Sequence, residues 1–216
     1  MPSNHIRVGI ESTKRKSFAV ALDWPGWSRS GKTPDLAIEA LLAYAPRFAP
    51  VAARAGYDLP SGSLDVEVVE QRDGGAGTDY GVPSVTFDAD RAPTSAADAA
   101  RLVALLEAAW ATFGTVAAAA PAELRKGPRG GGRDTAKMVE HVVGAEQAYA
   151  GAFRIKSAMP DPTDGAAVAR LREKLLGPLR EPSDGSPIGK WTQRYAARRV
   201  AWHALDHAWE IEDRSD

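Results

Sequence analysis

Residues 198–209 read Arg-Arg-Val-Ala-Trp-His-Ala-Leu-Asp-His-Ala-Trp, and this stretch points most directly to the fold of the second half of the chain. Its apolar residues recur at helical spacing, and His203 and His207 stand four residues apart, so both imidazoles lie on one face of the predicted helix. Such a pair can hold one metal ion from a rigid support. The stretch therefore predicts a helix, from about Gly189 to Glu212, that carries two metal ligands.

A third histidine, His141, lies in an earlier segment of helical periodicity that begins after Asp134. It falls on an apolar stripe, where an imidazole without a partner is costly, and bundles build metal sites from side chains on facing helices. Together the three histidines favour a metal site of His141, His203 and His207. The alternative is that they pack in the core and hydrogen-bond to neighbouring helices.

Carboxylates near the histidines are candidates for supporting or catalytic roles. Metal-bound imidazoles usually donate their other ring N–H to a carboxylate or a carbonyl group. Glu210 shares the face of His203 and His207, so it is a candidate further ligand or acceptor. Asp206 is a second candidate acceptor, and Glu146, one turn after His141, is the third.

Arginines in the same helix offer a candidate active-site cation. Arg199 is that candidate. The alternative is that Arg194, Arg198 and Arg199 form a solvated helix face with surface ion pairs, which is the more common arrangement.

A basic, glycine-rich loop leads into the helix that carries His141. Free amides at the helix N-terminus, together with Arg129 and Arg133, are candidates for holding a phosphate or carboxylate of a cofactor. The loop lacks the GxxxxGK[ST] pattern of a nucleotide loop, and no strand precedes it. A solvated loop without a ligand is the alternative.

Helical periodicity continues through the whole second half of the chain, which predicts a four-helix bundle. Besides the two helices already described, we expect a helix from Thr94 or Ser95 to about Ala120, and a shorter one from Thr163 or Asp164 that stops at Gly177-Pro178.

The first half of the chain predicts a small α+β domain. A helix begins at Thr33-Pro34-Asp35 and breaks at Pro46, and residues 73–77 are expected to form a hairpin connection. The chain then divides into two domains, 1–90 and 91–216, with a linker near 88–93. The predicted strands are Ile6 to Ile10, Ser17 to Leu22, Leu64 to Glu70 and Val82 to Phe87.

Composition excludes several classes of function. The 27 Lys and Arg nearly balance the 28 Asp and Glu, so the charge disfavours nucleic acid and membrane surfaces as partners. The chain contains no cysteine, which excludes disulfides, thiolate ligands and a cysteine nucleophile. Apolar runs are short, so we expect neither a signal peptide nor a membrane span, and a cytoplasmic location.

The segment 137–146, Lys-Met-Val-Glu-His-Val-Val-Gly-Ala-Glu, followed at bundle distance by residues 198–207, resembles the DinB/YfiT-like family of metal-binding four-helix bundles. The resemblance covers about residues 94–214. It implies that His141, His203 and His207 hold one divalent metal ion. It also implies, as in some members, a transferase or isomerase that uses a low-molecular-weight thiol such as mycothiol or bacillithiol.

Residues 17–33, Ser-Phe-Ala-Val-Ala-Leu-Asp-Trp-Pro-Gly-Trp-Ser-Arg-Ser-Gly-Lys-Thr, are similar to part of the HicB-like antitoxin domains, and the likeness covers about residues 6–54. Trp27 departs from the small residue common after Pro-Gly in that family. No operator-binding segment is recognisable. The resemblance therefore implies a small sheet that packs on the bundle or mediates self-association.

We expect a metal-dependent enzyme that acts on a small molecule. Three neutral imidazoles leave an open coordination position, as in catalytic zinc sites. Imidazole ligands suit zinc or nickel first, with iron, manganese and cobalt as alternatives. A metal-dependent hydrolase is the alternative reaction, and a non-enzymatic interaction or antitoxin-like module is the alternative class. Fold-level analogy favours a homodimer.

Overall fold

The computed structural model describes residues 4–60, 62–127 and 132–215. It is a mixed α+β fold, with a four-stranded sheet in the first half followed by helices, as the sequence predicts. A 3-10 helix, Asp88–Arg91, leads into the second half. The elements of the first half are β1 His5–Ser12, β2 Ser17–Ala21, β3 Ser28–Gly31, α1 Pro34–Ala43, α2 Ala45–Arg54, β4 Asp65–Asp73 and α3 Ala76–Tyr80, and those of the second half are α4 Ala96–Ala119, α5 Thr135–Ala152, α6 Gly165–Arg180 and α7 Gln193–Ser215.

The sheet has the strand order β3-β2-β1-β4, in which β1 pairs antiparallel with β2 and parallel with β4. Helices α1 and α2 make the crossover that a parallel pair requires. Trp27 is fully buried beneath them: its indole N–H donates to the Leu41 carbonyl oxygen at 2.9 Å, and its ring stacks on Phe48. These contacts fix the sheet against the two helices.

Two predictions for the first half are wrong. Val82 to Phe87 is a loop in the structure, held by the buried carboxylate of Glu11, which accepts hydrogen bonds from the amides of Ser84 and Val85. Residues 73–77 do not form a hairpin, because β4 already has its partner in β1 and the chain turns into α3. Strand β3 was not predicted, because it is only four residues long and mostly polar.

The four predicted helices of the second half are present. Ser95 caps α4 through the amide of Asp98, and Asp164 caps α6. The stop predicted at Gly177-Pro178 is wrong, since α6 continues to Arg180. Proline in the last turn forfeits one backbone hydrogen bond, and burial of Leu179 offsets that loss.

Helix α7 begins at Gln193, later than predicted, because Gly189 adopts a left-handed backbone conformation with φ of +73°. Helix α4 is long and apolar enough to cross a membrane by length and composition, which the sequence analysis did not anticipate. Its apolar side chains, such as Leu105, Leu106 and Phe113, are buried, as in the core helix of a globular fold.

One hydrophobic core joins the two halves of the chain, and α7 lies within it. The Pro25-Gly26-Trp27 turn approaches α7 so closely that a Cβ on Gly26 would lie 2.7 Å from Leu205 Cδ1. On the same helix, Asp206 accepts a hydrogen bond from Arg29 of β3 at 2.9 Å. The sheet therefore positions the helix that carries two of the three candidate ligands.

Arg198 departs from the predicted solvated face, because it is buried and joins α7 to the 3-10 helix. Its Nη2 lies 2.6 Å from an Asp90 carboxylate oxygen and 3.1 Å from the Val85 carbonyl oxygen. Burial alone would lower the pKa of Arg198, but the charge and hydrogen bonds of Asp90 outweigh it and the pKa is raised. This ion pair closes the junction between the two halves.

Candidate metal centre

The three histidines meet between α5 and α7. One ligand nitrogen from each of His141, His203 and His207 lies within 4.8 Å of the other two, and the Nε2 atoms of His141 and His203 are 3.3 Å apart. His203 is buried, whereas the other two are partly buried. The spacing of four in α7 and the packing of α5 against it thus bring together the ligand set that the sequence predicts.

Two of these imidazoles are held neutral. Burial, followed by the interaction with His207, lowers the pKa of His203 to about 2 and that of His141 to about 4. Neutral imidazole is the form that ligates metal ions. The site is therefore ready to bind a cation at neutral pH without first losing protons from these two histidines.

Glu210 supports His207 in the way the sequence analysis expected of an acceptor. Its Oε2 lies 3.0 Å from His207 Nδ1, and its Oε1 accepts from Arg214 at 3.1 Å. The hydrogen bond to His207 is the main reason that the pKa of Glu210 is lowered. With Nδ1 occupied in this way, His207 keeps Nε2 for a metal ion.

The other two candidate carboxylates bind arginines. Asp206 pairs with Arg29, and burial raises the pKa of Asp206. Glu146 is buried, and both its oxygens accept from Arg172 of α6 at 3.0 Å. The structure thus directs neither carboxylate at a histidine ring. In the described residues, the buried Nδ1 of His203 has no hydrogen-bond partner.

A cavity of about 700 Å³ opens beside His141. Arg133 and Lys137 line it on the side of the helix start, and Ala145 and Met159 line it further along. The positive charge of Arg133 contributes to the lowered pKa of His141, after burial and His207. Arg129, the other candidate of the loop, lies outside the described residues.

Arg199 lies one turn before His203 on α7, between two aromatic rings. Its Cζ is 4.8 Å from the Trp202 ring and 5.3 Å from the ring of Tyr149, and the charge of Arg199 acts on the pKa of the Tyr149 hydroxyl. The Tyr149 ring centroid is 5.9 Å from that of His203. Tyr149 was not predicted to be a site residue, although its position two turns after His141 on α5 indicates the same helix face.

A second cavity, of about 740 Å³, lies between α4, α5 and α6. It is apolar, with Trp110, Phe113 and Val143 in its wall and Arg172 at one side. Its lining does not include the histidines, so it is separate from the candidate metal centre.

Comparison of the chain with protein-family models, curated proteins and solved structures gave no match. What stands on the structure alone is the mixed α+β fold and a cluster of three histidines that could bind a metal ion. The resemblances to DinB/YfiT-like and HicB-like proteins are hypotheses that rest on the sequence motifs.

Proposed function

We propose that this protein is a metal-dependent enzyme that binds one divalent cation through His141, His203 and His207 and uses a low-molecular-weight thiol. The observation that carries the proposal is the convergence of three imidazole nitrogens, within 4.8 Å of one another, on two helices of one core. We also propose that residues 94–214 form a DinB-like bundle and that residues 6–54 belong to a HicB-like sheet domain.

The spacing of His141 and His203 fits a tetrahedral ion. A metal–nitrogen distance of about 2.0–2.1 Å implies two ligand nitrogens about 3.3 Å apart in a tetrahedral site. The Nε2 atoms of His141 and His203 are 3.3 Å apart. An all-imidazole set of this kind suits zinc or nickel, and also iron, manganese or cobalt.

Three protein ligands leave one coordination position open, which is the arrangement of catalytic zinc rather than structural zinc. When bound, the ion supplies Lewis acidity that favours deprotonation of a coordinated thiol or water. Two side chains of the protein support the site. Glu210 orients His207, and Arg133 adds positive charge beside His141.

The thiol is assigned to an external molecule because the chain has no cysteine. The cavity of about 700 Å³ beside His141 has the size of a small-molecule site. In the proposed reaction the thiol gives its proton to solvent, and its sulfur forms a bond to an electrophilic carbon of the substrate while the bond from that carbon to its leaving group breaks and the leaving group departs with the electron pair.

Metal analysis of protein purified without a histidine tag tests the site. We expect one equivalent of divalent metal in the wild-type protein and less than a tenth of that in the double variant His203→Ala/His207→Ala. His5→Ala is the matched control, because His5 lies on β1 and pairs with Asp65. Stoichiometric metal in the double variant would show that the ion is held elsewhere.

A second assay separates the thiol enzyme from a hydrolase. Metal-loaded protein is mixed with a chloronitroarene electrophile and thiol, and separately with a nitrophenyl ester without thiol. We expect metal-dependent loss of thiol in the first mixture and no acceleration in the second. Acceleration of ester cleavage alone would replace the thiol reaction with hydrolysis, and inactivity in both would favour a non-enzymatic role.

A further inference from the structure

Helix α7 carries four arginines, and three of them are paired with carboxylates. The exception is Arg199, for which the described residues provide no carboxylate partner. The paired arginines are Arg194 with Asp98 at 3.3 Å, Arg198 with Asp90 at 2.6 Å, and Arg214 with Glu210 at 3.1 Å.

Arg199 is nevertheless drawn into the protein. Its Nη1 is buried without a hydrogen-bond partner, and its guanidinium lies against Trp202 and Tyr149. The Nη1 of Arg198 also lacks a partner, but the other nitrogens of that side chain hold Asp90. Arg199 instead lies over the ring of Tyr149, and burial raises the pKa of that phenol. A neutral phenol does not compensate a guanidinium charge.

Such an arrangement is costly for folding alone. Arg199 is partly buried, with its Nη1 covered, so its guanidinium loses part of its hydration, and this loss is compensated when a carboxylate or other anion pairs with it. An apolar residue at position 199 would pack between the same two rings without that cost. The uncompensated cation therefore indicates that an anion from outside the chain completes the pair.

The position of Arg199 connects this anion to the histidine cluster. Arg199 and His203 are four residues apart in α7, a rise of about 6 Å along one helix face. On the facing helix, the small Ala145 lies one turn from His141 and one turn from Tyr149. Ala145 also lines the cavity beside His141, so this cavity follows α5 for one turn from His141, in the direction of Tyr149.

From this juxtaposition we propose that Arg199 binds the carboxylate of a small thiol whose sulfur occupies the open position at the three histidines. This proposal rests on the proposed function and specifies its thiol as an anionic one. Arg199 is a positioning and specificity residue here, since it holds the ligand's carboxylate and not the reacting atoms.

Zinc-loaded protein, titrated by calorimetry with two thiols of the same chain length, tests the proposal. The probes are 3-mercaptopropionate and its neutral analogue 3-mercaptopropanol. A charge-assisted hydrogen bond corresponds to about tenfold to hundredfold in affinity, so we expect the wild-type protein to prefer the carboxylate by that factor. Arg199→Gln should abolish the preference, and Arg199→Lys should keep part of it.

Arg194→Gln is the matched control, because it removes another arginine of the same helix whose partner Asp98 is already on the protein. It should keep the full preference. Zinc content and melting temperature are measured for every variant, so that a lost preference in a folded, zinc-loaded Arg199→Gln protein reports on the anion site. Equal binding of both thiols by the wild-type protein, or an unchanged preference in Arg199→Gln, would overturn the proposal.

Failure of the metal site gives a different result. If the wild-type protein takes up no zinc, the proposed function is wrong, and propionate is titrated into the metal-free protein instead. Binding that Arg199→Gln removes would retain the carboxylate site without the thiol. No binding of propionate would overturn the assignment to Arg199 as well.

Discussion

Arg198 and Arg199 are neighbours in sequence, yet they lie in opposite electrostatic surroundings. Arg198 faces the junction with the first half of the chain, where the Asp90 carboxylate and the Val85 carbonyl receive its hydrogen bonds. Arg199 faces the histidine cluster, where the buried His203 Nδ1 also lacks a partner. Arg198 Nη1 also lacks a partner, but the charge of that side chain is paired with Asp90. Buried polar groups in proteins are usually satisfied, so the histidine side, with its unpaired cation, is where we propose that a ligand binds.

Helix α7 therefore serves two purposes. Its junction face stabilises the fold through a paired charge and a shared core. Its histidine face holds neutral imidazoles and an uncompensated cation, which do not benefit the folded state without a ligand. Removing polar groups from the two faces should therefore change stability in different directions.

The largest difference is expected between Arg198→Met and Arg199→Met. Arg198→Met leaves the Asp90 carboxylate buried without its partner, which should lower the free energy of unfolding by about 3–5 kcal/mol. Arg199→Met removes an uncompensated cation and should leave that free energy unchanged or raise it slightly. Urea unfolding of the metal-free proteins measures both. Equal losses would show that Arg199 has a structural role.

Zinc should stabilise the protein through the histidine face alone. At a free zinc concentration 100 times the dissociation constant, the wild-type protein gains about 2.7 kcal/mol of unfolding free energy. The double variant His203→Ala/His207→Ala should gain nothing, while Arg198→Met should gain as much as the wild type. Thermal unfolding with and without zinc checks this. A zinc effect that depends on Arg198 would contradict the separation of the two faces.

Glu210→Gln should weaken zinc binding with little change in stability of the metal-free protein. The carboxylate orients His207, and loss of such an orienting group typically costs 10–100-fold in metal affinity. Asp206→Asn is the control, because this neighbouring carboxylate pairs with Arg29 rather than with a histidine. Competition with a chromogenic chelator measures the affinities. A larger loss in Asp206→Asn would reverse the assignment.

The smallest effect, taken per pH unit, is a pH dependence of the metal-free protein. The pKa of His203 is about 2 in the folded state and 6.5 when unperturbed, so between these values the unfolded chain binds the extra proton. The free energy of unfolding should therefore fall as the pH drops below about 6.5, by at most about 1.4 kcal/mol per pH unit from this residue. His203→Asn should flatten the slope, and Arg199→Met should leave it nearly unchanged. An unaltered slope in His203→Asn would contradict the prediction.

The cluster of three histidines could be predicted from sequence because it depends on local periodicity. His203 and His207 share a helix face by spacing alone, and an apolar stripe carries His141 to the facing helix. The mixed α+β class followed in the same way from alternating and helical patterns. These features need no knowledge of which elements are neighbours in space.

The partners of the charged side chains could not be predicted, since each depends on a contact distant in sequence. Glu146 follows His141 by one turn, but it binds Arg172 on another helix. Arg198 reads as a surface residue until Asp90, more than a hundred positions earlier, is placed beside it. Residues 82–87 were predicted to form a strand because their apolar residues alternate. In the structure the segment is a loop that contacts Glu11 and Tyr195 of α7, and the same alternation is compatible with that packing.

The turn at Gly26 makes the side chains that the first half of the chain tolerates depend on those in the second half. A methyl group there would collide with Leu205 and crowd Ala201, the residues that bracket His203 along α7. A substitution in the turn is therefore strained by the φ of +98° at Gly26, and it also shifts α7 unless a smaller side chain at 201 or 205 makes room. Sequences that descend from this fold should change these positions together, so the contact leaves a trace of paired variation between a turn near one end of the chain and a helix near the other.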